Sequence, residues 1–167
     1  MNKYIDDFFT FPETINEVAA RLVATGVILM SVATLYLLSQ NNSYVLIPLT
    51  LLVYGFLARV TSGPKISPLA LFVTKFLVPK LNFQEKLVPG PPKRFAQGVG
   101  LIFSLSTVVT FVLGFVNFSI ILISVLTLFA CLEAFIGFCA GCKVFKILMY
   151  LKIIPEEVCE RCSNLEF

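Results

Sequence analysis

The chain has no histidine and no tryptophan, and only 14% of its 167 residues are charged. An ordinary soluble domain carries about 25% charged residues, so a water-facing surface could not be covered here. Without histidine, the usual general base, the commonest zinc ligand and any His-ligated haem are excluded. A strong charge of either sign is missing too. The net charge of +3 is small, and the basic residues do not interleave with aromatics in a groove-like pattern, which excludes nucleic acid as a partner. What is present is apolar: 57% of residues are hydrophobic and the mean hydropathy is +0.90. The sequence reads as an all-α integral membrane protein whose first partner is the lipid bilayer.

Four apolar segments are long enough to cross a hydrocarbon core about 30 Å thick. They run over residues 18–38, 44–60, 95–115 and 118–138. The Gln40-Asn41-Asn42-Ser43 turn separates the first two and a tight turn at Val116-Asn117 the last two, so the spans form two helical hairpins. The first span is not a cleavable signal peptide: Asp6, Asp7, Glu13 and Glu17 precede it and no small-residue cleavage site follows. Thr14 and Glu17 read as a capping box at its start.

All thirteen Lys and Arg lie on the side shared by the N-terminus, the stretch 61–94 and the tail 139–167, and neither hairpin turn carries one. The positive-inside rule places that side in the cytoplasm. Within the connecting stretch, Ser67 to Val78 is apolar, bounded by prolines and too short to span. It is expected to form an interfacial or re-entrant helix, followed by a stiff turn over Val88–Arg94. After the fourth span, Lys143, Lys146 and Tyr150 share one face of an apolar segment, an amphipathic interfacial helix that Pro155 ends. The whole chain, residues 1–167, forms a single membrane domain.

The chemistry is concentrated in cysteines. Of the five, Cys131 reads as packing inside the fourth span. The other four form two Cys-x-x-Cys pairs, Cys139 with Cys142 and Cys159 with Cys162, separated by residues 143–158. A structural disulfide does not suit the reducing compartment inferred above. Two readings compete. In the redox reading, a helix opening at Lys143 stabilises the Cys139 thiolate, Cys142 resolves, and Cys159 and Cys162 form the exchanging pair. In the metal reading, the spacing matches a four-thiolate zinc site, and the same sulfurs could take another thiophilic metal such as Cu(I) or an iron–sulfur cluster. No cofactor at all is a third alternative.

Glu133 sits inside the fourth span, about 7–8 Å from its end, where a carboxylate must be paired or protonated. Arg21, Arg59 and Glu17 lie at comparable positions, so the four read as bundle ion pairs, with a proton relay or thiol base as the sharper alternative for Glu133. In a continuous helix Glu133 and Cys139 stand about 120° apart. Direct action of Glu133 on the thiols therefore requires a break near Gly137 or Gly141. Gln97, Ser104, Ser106, Thr107 and Thr110, with Gly98 and Gly100, suit close helix packing or line a quinone or ion path.

Several blocks carry a resemblance. They are Ile15-Asn16-Glu17-Val18-Ala19-Ala20-Arg21, Arg59 with Gly63-Pro64, Pro89 to Gln97, Leu132-Glu133-Ala134, and Gly137 to Cys142 with Cys159 and Cys162. Through them the chain resembles the bacterial membrane-protein family catalogued as domain of unknown function 4395. The resemblance implies a small polytopic inner-membrane protein whose gene often neighbours thioredoxin-like or sulfurtransferase genes. The expected function is thiol–disulfide exchange or sulfur relay at Cys139, Cys142, Cys159, Cys162 and Glu133, as an oxidoreductase-like enzyme with a thioredoxin-like or sulfurtransferase-like partner. The alternatives are a metal-binding membrane protein and a non-catalytic scaffold subunit, and an oligomer is compatible with each.

Overall fold

The computed structural model describes residues 11–81 and 86–155. Strand β1 (Thr14–Asn16) leads into helix α1 (Glu17–Ser39), and a short 3-10 turn (Ser43–Val45) opens α2 (Leu46–Ser62). The connecting stretch holds α3 (Pro68–Phe72), a π-helical turn (Val73–Leu77), α4 (Val78–Leu81) and strand β2 (Leu87–Pro89). Helix α5 (Gly90–Val112) and α6 (Val116–Cys131) follow, then a π-helical turn (Leu132–Ile136) and α7 (Ala140–Tyr150).

Four helical stretches, Glu17–Ser39, Ser43–Lys65, Gly90–Val112 and Val116–Ile136, are long and apolar enough to cross a membrane. The chain is a multi-pass membrane protein. Each spanning helix packs on two others, in the cyclic order α1, α2, α5, α6. Leu38, Leu49, Leu52 and Ile123 are completely buried at the centre. Buried hydroxyls satisfy themselves inside their own helices: Thr34 donates to the Met30 carbonyl and Thr107 to that of Phe103, both at 2.8 Å. Small polar residues therefore bring helices close with most of their hydroxyls bonded, Ser62 Oγ being the exception among the described residues. Thr110 and Ser119 bond directly across α5 and α6 at 2.7 Å.

Several boundaries differ from expectation. The third span starts at Gly90, not Phe95, because Pro91 and Pro92 fall in the first turn, where missing N–H groups leave no gap. A Cβ at Gly90 would strike the Pro12 carbonyl oxygen. Glycine there lets the helix start lie against the chain, its N–H donating to Glu13 O at 2.7 Å. The turn after this span lies at Leu113-Gly114-Phe115 rather than Val116-Asn117, since Gly114 takes the left-handed conformation (φ 83°) that terminates the helix. Thr14 does not cap α1. It belongs to β1, which pairs antiparallel with β2 (Thr14 opposite Pro89), and the cap is Asn16, whose side chain accepts from Val18 N at 2.9 Å. Pro79 does not stop the connecting helix. The π-turn before it shifts the bonding so that Val78 N–H reaches Val73 O, and the helix runs on to Leu81. This segment packs on α1 through Ala70 and Val73 against Ala19 and Val23.

Candidate thiol site

The site forms where the fourth spanning helix ends. After Ile136, Gly137 is left-handed (φ 74°), a conformation that strains any side chain with a Cβ, and its N–H bonds to Glu133 O at 3.1 Å. The chain turns sharply and α7 begins at Ala140. The break required for Glu133 and the cysteines to approach is therefore at Gly137. Helix α7 opens three residues before the expected Lys143, so Cys142 lies within its first turn and Cys139 is its N-cap.

Cys139 caps α7 in place of the usual oxygen: its Sγ accepts the Cys142 N–H at 3.4 Å. A hydrogen bond from the Cys142 side chain holds the Cys139 thiol below the ordinary cysteine value, helped by Lys93 and opposed by burial and by Glu133. The same bond, with burial, pushes the Cys142 thiol up. The two shifts run in opposite directions, so Cys139 is the more readily ionised thiol and Cys142 the one that holds its proton. Cys139 is 9% exposed. Both sulfurs line a cleft of about 310 Å³ that also presents Lys86, Lys93, Lys143 and Lys146 against the single acid Glu17.

Lys93, on the first turn of α5, ties the site together. Its ammonium bonds Glu133 Oε1 at 2.6 Å, with side chains only 7% and 16% exposed, and it acts electrostatically on both cysteines. Sequence reasoning missed this partner. Reading Gly-Pro-Pro as a helix start would have placed Lys93 inside the span, level with Glu133.

The four charged residues expected to pair with one another each have a different partner. Glu17 pairs with the exposed Lys86 at 2.8 Å. Arg21 donates to the Ala134 and Phe135 carbonyls at 3.1 and 2.9 Å, capping the negative end of the fourth span. Arg59, 6% exposed, donates to Gln97 Oε1 at 2.7 Å and stacks 4.7 Å from the Phe56 ring centroid. Glu133 pairs with Lys93. Cys131 is half-buried at the end of α6. Cys159 and Cys162 lie outside the described residues. Among the described residues, no group of three or more Cys, Asp or Glu stands close enough to hold a metal, and the four-thiolate arrangement depends on that second pair.

Gly141, the other position at which the sequence allowed a break, lies inside α7 between the two cysteines and serves instead as a close contact. A Cβ there would lie 2.6 Å from Ala96 Cα, so α7 meets α5 with no room for a side chain. Gly141→Ala is expected to force the helices apart, lowering stability by about 1–3 kcal/mol. Thermal unfolding in detergent measures the loss, and an unchanged melting temperature would contradict the close contact.

Residues 15–150 match the family model described as Domain of unknown function (DUF4395). No curated protein and no solved structure matches the chain. With four helices apolar enough to span, a Gly137 break and a thiol pair all inside the matched region, the chain belongs to the family of the domain of unknown function DUF4395.

Proposed function

We propose that the chain is a thiol–disulfide exchange protein of the bacterial inner membrane, with Cys139 as nucleophile and Cys142 as resolving thiol. The observation that carries this reading is the N-cap geometry, in which the Cys139 sulfur accepts the Cys142 N–H while Lys93 supplies a nearby positive charge. The Cys139 thiolate attacks one sulfur of a partner disulfide, forming a mixed disulfide and expelling one partner thiolate. That step removes the charge that held the Cys142 proton. Cys142 then gives its proton to the expelled partner thiolate and attacks Cys139 Sγ, closing their disulfide and releasing the second partner sulfur as thiolate, so two electrons pass to the partner. The lysines around the cleft favour an acidic partner surface, and a thioredoxin-like or sulfurtransferase-like protein fits this chemistry.

The same reading includes the topology. Helices α1 with α2 and α5 with α6 are two hairpins, the segment from Pro68 to Leu81 and α7 lie at the interface, and both termini face the cytoplasm. The turns at Gln40–Ser43 and Leu113–Phe115 carry no charge, while every Lys and Arg belongs to the other side. In intact cells, an impermeant thiol reagent is expected to label cysteines introduced at Asn41 and Asn117 and to leave the native cysteines unlabelled. The opposite pattern would place the thiols in an oxidising compartment and overturn the orientation.

The exchange itself is tested with reduced purified protein and an oxidised thioredoxin-like protein. Two thiols of the chain are expected to disappear for each partner disulfide reduced, and none in a Cys139→Ser variant. Exchange that survives Cys139→Ser would overturn the assignment. The four-thiolate metal site stays as the second reading because the spacing of the two pairs favours it.

A further inference from the structure

On the bundle side of Cys139, between the spanning helices, lies a cavity of about 260 Å³. Its walls are chiefly aromatic and aliphatic, with Phe56, Phe95, Phe103 and Phe129 among them. Arg59, Gln97 and Glu133 line it as well, and Cys139 belongs both to this wall and to that of the lysine-lined cleft. Phe129, 37% exposed, is also part of the bundle's outer apolar surface.

Arg59 is the costly feature of this cavity. It is a buried cation within a membrane span, and the groups it touches are neutral: Gln97 Oε1 at 2.7 Å, Ser67 Oγ at 3.4 Å and the Phe56 ring. Glu133 acts on Arg59 through space, but its hydrogen bond goes to Lys93. Arg59, Lys93 and Glu133 together leave one positive charge in excess. A Cys139 thiolate cancels it. Closing the Cys139–Cys142 disulfide removes that anion and leaves an uncompensated cation in an apolar bundle, which is strongly unfavourable. An electron acceptor that becomes negative beside Arg59 makes up that charge while the thiols are oxidised.

We propose that the cavity binds the ring of a lipid-soluble quinone, which accepts the electron pair of the Cys139–Cys142 dithiol. The proposal rests on the exchange reading above, run in the reverse direction: a partner dithiol reduces the Cys139–Cys142 disulfide, its two protons and two electrons passing to the thiols, and the quinone then accepts that electron pair. An engineered apolar cavity of about 150 Å³ in another protein holds a benzene molecule, so the volume here accommodates a substituted ring. A small inorganic anion would have to lose its water and would leave the aromatic walls unused. A quinone enters neutral from the hydrocarbon and becomes anionic only on reduction, at the place where Arg59 stands. In that step the Cys139 thiolate and Cys142 thiol become a disulfide. Two electrons pass to the quinone, the Cys142 proton goes to one quinone oxygen, and the product is the hydroquinone monoanion. The total charge of the cluster is the same before and after. The monoanion takes its second proton from water and leaves as neutral quinol.

The test uses reduced full-length protein in detergent and a short-chain alkyl benzoquinone as probe. Quinol is expected to form one for every two thiols lost. The Cys139→Ser variant should still bind the quinone and should not reduce it. Arg59→Gln should weaken quinone binding about tenfold or more, with Arg59→Lys keeping most of it. Ala130→Leu, which fills the cavity from α6, is a second probe should the Arg59 variants not fold. Protein that exchanges with an oxidised thioredoxin-like protein but neither binds nor reduces the quinone would overturn this proposal alone. Quinone that is bound but never reduced, in protein that also fails to exchange with the protein disulfide, would overturn both.

Discussion

Replacing Lys93 with Met is expected to lower stability by about 3–5 kcal/mol, because it leaves the Glu133 carboxylate buried without its cation. The pair is 2.6 Å apart with 7% and 16% of its side chains exposed, so little solvent screens it. The Lys86–Glu17 pair is a contrast on the cation's side: Lys86 is 74% exposed, while Glu17, at 16%, is no more exposed than Glu133. Lys86→Ala is expected to cost less than Lys93→Met, because water can take the place of an ammonium that reaches Glu17 from outside. A double variant, Lys93→Met with Glu133→Leu, should recover most of the loss, since removing both charges removes the desolvation penalty with them. Urea or thermal unfolding in detergent measures all of these. A Lys93→Met protein as stable as the parent would show that Glu133 is neutral or otherwise paired.

The second large effect concerns the cysteines. In a Cys142→Ser variant the mixed disulfide between Cys139 and a partner has no thiol to resolve it, so it should accumulate until most of the chain is trapped. Cys139→Ser should trap nothing, and Cys131→Ser should behave as the parent, since Cys131 lies apart from the cleft. Non-reducing electrophoresis after mixing with an oxidised thioredoxin-like protein separates these outcomes. Trapping through Cys142 in the Cys139→Ser chain would reverse the roles assigned to the two sulfurs.

The spanning helices were legible in the sequence because hydropathy alone determines them, and the lysine-poor turns follow from the same pattern. Boundaries were less so. Pro91 and Pro92 read as a turn, yet proline serves as well in a helix's first turn, and that ambiguity hid Lys93 as the partner of Glu133. Glu133 itself was legible as a residue needing a partner, since a carboxylate at that depth is expensive wherever it points. The β1–β2 pairing was not, because residues 14–16 and 87–89, far apart in the chain and joined by backbone bonds, leave no side-chain pattern. The Cys-Ala-Gly-Cys motif announced thiol chemistry, whereas the role of its glycine appears only when α7 lies against Ala96.

Protonation of the pair has a defined direction in stability. Folding lowers the Cys139 value, so the thiolate's contribution is fully present above the unfolded cysteine value, about 8.5. It is lost as pH falls through the folded value. The alkylation rate of each cysteine as a function of pH, with and without a strong chelator, therefore tests the central claim most directly. The account predicts that Cys139 reacts faster than any other cysteine at neutral pH, with an inflection below about 8.5 that the chelator does not move. Uniform protection of Cys139, Cys142, Cys159 and Cys162 that vanishes on chelation would contradict it and establish a four-thiolate metal site instead.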